Sequence, residues 1–152
     1  MSRITNPRTV RGARYPIYTT GPSQLSLVAT TSPAATSGDG VVTFTSATTY
    51  VSLTAPGNNY FVLANPGGEN PIEEGTIKKI VVAASVGNGA RAVLAANSDA
   101  GHAIVDGTVP VSFNLTEIGQ FVLLQYQSAG TFSVLEYGFA DGSLSSMKNI
   151  LQ

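Results

Sequence analysis

From residue 41 to residue 137 the sequence is divided by Gly, Pro, Asn and Asp into short apolar segments that recur roughly every 8 to 15 residues. Nearly everywhere, apolar and polar positions within them alternate with period 2 instead of 3.6, which suits pleated strands rather than helices. This rhythm is the sequence habit of an all-β sandwich or barrel. It predicts strands at 41–46, 48–54, 59–64, 76–84, 90–95, 102–105, 109–115, 119–127 and 131–137. In the first of these, Val42, Phe44 and Ser46 share one face and Val41, Thr43 and Thr45 the other, so one side can be buried while the threonines meet water. An alternating segment at 24–30 comes earlier, followed by a Ser/Thr/Pro/Ala stretch that ends in the turn signature Gly38-Asp39-Gly40. Between residues 125 and 131 two apolar runs are separated by a few residues, a hairpin connection in which Gly130 supplies the unusual backbone angle.

The expected fold is therefore an antiparallel β-sandwich or jelly-roll-like domain over residues 23–138, with an extended N-terminal arm at 1–22 and a C-terminal tail at 139–152. A chain of 152 residues is one ordinary domain, long enough to bury about 68–70% of its unfolded surface. In the arm, Pro7, Pro16, Pro22, Gly12 and Gly21 forbid a helix of useful length. In the tail, Leu144, Met147, Lys148 and Leu151 fall at helical spacing behind Asp141 or Ser143 as a cap, a turn too short to stand without a partner surface.

Composition narrows the function. Only 11% of the residues are charged against 43% hydrophobic, where about 25% charged is usual, so much of the surface is uncharged. There is no cysteine and His102 is the sole histidine, which removes thiol chemistry and leaves a multi-histidine metal site or a triad poorly supplied. No apolar run reaches the length of a membrane span and no leader-like apolar stretch opens the chain, so the expectation is a soluble, unprocessed protein without membrane association.

The net charge of −1 conceals an asymmetry. Arg3, Arg8, Arg11 and Arg14 give the first 22 residues a charge of +4, and the remaining residues carry four basic and nine acidic side chains. Four guanidiniums spaced along an extended chain form a docking strap for carboxylates or phosphates on a larger partner, with Ile4, Val10, Ile17 and Tyr18 adding apolar contact. The acidic body lacks a basic stripe with interleaved aromatics, so nucleic acid is the weaker candidate partner and protein carboxylates the stronger.

Other candidate groups read more plainly. Lys78 and Lys79 are adjacent on one strand and point to opposite faces, one of them an edge gatekeeper or an interface charge; no Gly-rich loop leads into a helix that would make them a phosphate site. The Gly87-Asn88-Gly89 run is a turn, His102 a surface residue after the turn 99–101, and Glu73-Glu74 solvated acids in a loop. Asn114-Leu115-Thr116 matches a glycosylation acceptor by chance.

The half from Gly75 to Gly138 runs from TIKKIVVAA through a GNG turn and VPVSFNL to GQFVLLQYQSAGTFSVLEYG. In that order it resembles the small β-sandwich structural proteins of tailed phages and other large viruses, with Phe132 where such domains often carry Trp. A short single-domain chain with an arm is, within that group, most similar to a capsid decoration (cement) protein. The resemblance implies a non-enzymatic virion protein, without cofactor or metal, on the capsid exterior after synthesis in the host cytoplasm. It also implies the major capsid protein as partner and self-association as a homotrimer. The alternative is a glycan- or receptor-binding sandwich of a viral tail or head fibre, presenting Tyr50, Tyr60 or Tyr126 on an exposed platform.

Overall fold

The structure is a computed structural model that describes residues 23–30, 39–68 and 71–139. The described strands are β1 (Gln24–Val28), β2 (Val41–Val42), β3 (Thr48–Leu53), β4 (Asn58–Leu63), β5 (Ile77–Ser85) and β6 (Arg91–Ala95). After a 3-10 turn at Ser98–Ala100 come β7 (Ala103–Asp106), β8 (Val109–Val111), β9 (Phe113–Leu115), β10 (Gln120–Ser128) and β11 (Thr131–Phe139). They form two sheets, a seven-stranded one in the order β1-β3-β5-β10-β11-β7-β8 and a four-stranded one in the order β2-β4-β6-β9. The all-β sandwich expected from strand spacing is present.

Strand direction departs from the expectation. Five of the nine pairings are parallel, so the sandwich is mixed instead of antiparallel throughout and is not a jelly roll. From β1 to β6 the chain changes sheet at every connection, laying β1, β3 and β5 side by side in one sheet and β2, β4 and β6 in the other, parallel in each. Parallel neighbours require a crossover, commonly a helix. Here each crossover is a strand of the opposite sheet, so the first half of the sandwich is wound like a flattened coil. The second half closes it with antiparallel strands: β9 on β6, and β10 between β5 and β11.

The core lies between the sheets. Val51, Leu53, Ile80, Val82, Val122, Leu124 and Phe132 come from the larger sheet and Phe61, Leu63, Leu94, Phe113 and Leu115 from the smaller, all at most 1% exposed. Phe44 stacks on Phe132 with ring centroids 5.4 Å apart, and Phe113 meets Tyr137 at 5.7 Å. Such ring pairs add about 0.5–1.5 kcal/mol each beyond the area they bury.

Two predicted strands are shorter or broken. Of 41–46 only Val41–Val42 pairs as strand, although Phe44 and Ser46 remain buried on the predicted face. The predicted 109–115 strand breaks at Ser112, with β8 in the larger sheet and β9 in the smaller. One bent segment thus closes that side of the sandwich. The opposite side is laced by a side chain. Gln24 Nε2 donates to Val41 O (3.1 Å), while its Oε1 accepts from Thr43 N (3.2 Å) and Thr49 Oγ1 (2.7 Å), joining β1, β2 and β3. At the same corner Thr30 bridges Tyr60 of β4, and Gly40 (φ +78°) comes so close to Thr30 N that any β-carbon there would collide with it. Phe139, placed at the start of the tail by sequence, is the last residue of β11.

Candidate functional site

The arm residues Arg3, Arg8, Arg11, Arg14, Ile4, Val10, Ile17 and Tyr18 lie outside the described residues, as does the helical spacing from Leu144 to Leu151. What is described is the root of the arm. Residue 23 enters β1, which among the described residues is the outermost strand of the seven-stranded sheet and pairs only with β3. A bulge between Gln24 and Leu27, with Ser26 at φ +52°, interrupts this pairing. Edge strands are commonly blunted in this way. The strand is sided: Gln24 and Leu27 turn inward, whereas Leu25 is 69% exposed and Val28 36%.

The larger sheet's outer face continues from there. In β3, Thr49, Val51 and Leu53 are buried, so Thr48, Tyr50 and Ser52 face outward. The registers set Tyr50, Val81, Phe121 and Gly138 in one row across β3, β5, β10 and β11, and Thr48, Lys79, Leu123 and Glu136 in the next. Lys79 Nζ stands 4.7 Å from the centre of the Phe121 ring, a cation–π contact on the sheet surface. A bulge opposite Leu123 and Leu124 turns Leu135 out of the core, leaving it 46% exposed.

Lys78 and Lys79 do point to opposite faces, but β5 is an interior strand flanked by β3 and β10, so neither lysine guards an edge. Lys78 faces the core and is 1% exposed. Its Nζ donates to Ser46 O (2.8 Å) and Ser46 Oγ (3.1 Å), and burial lowers its pKa from 10.5 to about 7. A neutral amine satisfied by a carbonyl and a hydroxyl avoids the cost of an unpaired interior charge.

His102 is half-buried instead of a surface residue, with Nδ1 buried and without a hydrogen-bond partner. Its ring lies over the hairpin glycine Gly130 (φ +81°), where a β-carbon would overlap ring atoms. Gly130 N donates to the Tyr126 hydroxyl (3.3 Å). Glu73 and Glu74 are exposed in the loop before β5, as expected. Asn114 is half-buried on β9 opposite Val93.

The three tyrosines that were candidates for an exposed platform lie apart. Tyr50 faces outward on the larger sheet, Tyr60 outward on the smaller with its hydroxyl bonded to Asn58 (3.2 Å), and Tyr126 packs inward on Phe132 at 5.2 Å. At one end of the sandwich a shallow cleft of about 330 Å³ is lined by Gly87, Gly89, Ala90, Arg91 and Thr116. Buried amides shape the turns beside it: Asn59 accepts from Thr54 N and Ala55 N, and Gln120 accepts from Thr116 N (2.6 Å) and Glu117 N (3.1 Å).

Among the described residues no group of three or more His, Cys, Asp or Glu is placed to hold a metal ion, and no helix is long and apolar enough to cross a membrane. No family model matches the chain, and no curated protein or solved structure is found to be similar to it.

Proposed function

We propose that this chain is a non-enzymatic virion structural protein, a capsid decoration protein that binds the major capsid shell and stiffens it by bridging subunits. The observation that carries the reading is the position of β1. The arginine-bearing segment 1–22 is followed directly by the outermost described strand of a wide, sparsely charged sheet. A strap held by Arg3, Arg8, Arg11 and Arg14 on a neighbour then pulls on a strand hydrogen-bonded into the whole sheet. Each exposed ion pair is worth only about 0.2–1 kcal/mol, so the four arginines act as a set. The mechanism is binding alone, on the particle exterior, by a self-associating chain. Wide, weakly charged surfaces suit such bridging contacts.

The test is attachment. The full chain sediments with intact capsids in fixed copy number, and a variant lacking residues 1–18 keeps its sandwich but decorates the same particles less. Attachment of the intact chain weakens as salt rises, because exposed charges are screened over about 8–10 Å at physiological ionic strength. A chain that stays wholly in the supernatant removes the capsid reading. An arm-deleted chain that decorates fully at low and high salt removes the strap.

A further inference from the structure

We propose that the outer face of the seven-stranded sheet is a self-association surface, taking a second copy of this chain face to face about a two-fold axis that runs along β10 above Leu123. The open part of the face is largely uncharged: Leu25, Val28 and Leu135 are exposed, and Tyr50 and Leu123 are half-exposed beside Thr48 and Ser52. In the seven strands of this sheet the charged residues are Lys78, Lys79, Asp106 and Glu136; Lys78 is directed into the core, and Asp106 alternates onto the same side of β7 as the buried Ile104.

That leaves one cation and one anion facing outward, and their placement selects the partner. Lys79 and Glu136 sit in the same row on either side of Leu123, each one strand away from it. Strand spacing sets each about 4.8 Å from the axis. In an isologous pair residue i meets j while j meets i. Turning a second copy over about an axis along β10 lays Leu123 on Leu123, its Lys79 over the first copy's Glu136, and its Glu136 over the first copy's Lys79. Both charges of each copy are then matched, two ion pairs in all, and uncharged surface fills the rest. An unrelated partner would need a separate counter-charge for each. The two sheets meet with their strands aligned, an established packing with faces about 10 Å apart.

The size of the face sets the strength. From β1 to β8 it is about 29 Å wide, but only β5, β10 and β11 have nine residues and extend about 30 Å, while β1, β7 and β8 have five, four and three, an area below the ~800 Å² per partner of a standard interface. The dimer is accordingly a micromolar one. The pairing is two-fold where the resemblance implies a homotrimer, and it is independent of any capsid.

Sedimentation of the full chain from 1 to 200 µM, with folding monitored by circular dichroism, tests it. The wild-type chain passes from monomer to dimer across this range. Glu136→Lys and Lys79→Glu each weaken the dimer by about tenfold or more, since each turns two attractions into two repulsions. The double exchange Lys79→Glu with Glu136→Lys restores it, which a lost fold or a lost cation–π contact could not do. Leu123→Lys places two cations on the axis and gives monomer. Wild-type monomer at 200 µM overturns the proposal. So does an oligomer indifferent to both single reversals, a trimer included, or a double exchange no better than the singles.

Discussion

Lys78 converts a position in a strand into a pH dependence. Its pKa is lowered from 10.5 to about 7 by burial, so below pH 7 the amine is protonated in the folded and unfolded chain alike and contributes no slope. Between pH 7 and about 10.5 the unfolded chain holds one proton more than the folded one, and stability rises with pH by about 1.4 kcal/mol per unit. Urea midpoints at pH 6, 7.5 and 9 should climb in the wild-type chain and lie flatter in Lys78→Met. At pH 9 that variant should be the less stable, because Ser46 O loses its donor. Gly130→Ala should cost about 2 kcal/mol or more, from the left-handed backbone and the collision with His102. Adding His102→Gly should recover the collision part alone. That the two lysines face opposite ways was legible from period 2. Which of them enters the core was not, because it depends on β3 and β10 lying on either side, and neighbours in a sheet leave no mark on a strand's own alternation. His102 was misread for a related reason: the ring is covered by a hairpin almost thirty residues downstream.

At the level of elements, nearly every predicted strand exists within a residue or two of its expected ends, since turn residues and alternation are local signals. Pairing direction was beyond reach: parallel and antiparallel neighbours both show period 2, and a change of sheet between β1 and β6 leaves no mark on the alternation of the strands it joins. The break at Ser112 was hidden likewise, because alternation continues through it. Of the candidate site, the arm was legible as charge and proline, and its attachment to an edge strand was not. Gln24 looked like the polar start of an alternating segment, yet it ties three strands together. Gln24→Ala should cost about 2 kcal/mol, leaving the fully buried Thr49 hydroxyl without its acceptor. Hydrogen exchange should show the Thr43 amide losing protection before those of β5 and β10, which lie mid-sheet.

Seen whole, the molecule is a sandwich whose first half is wound and whose second half is zipped. Winding brings together residues far apart in sequence, so loop closure must precede most of the reward, and refolding should take milliseconds to seconds. Stopped-flow fluorescence of the tyrosines would measure it, and far-UV circular dichroism should show a strand spectrum with less than about a quarter helix. The contact between Thr30 and Gly40 carries a practical consequence. The polypeptide departs from the corner of the smaller sheet and returns to it at the same spot, so whatever is spliced between those two residues has its ends already gathered. Doubling that insert should cost only about 0.6 kcal/mol in closure entropy. A foreign peptide grafted between them would have both its ends held at one corner, which makes this corner a place to mount an epitope or a label.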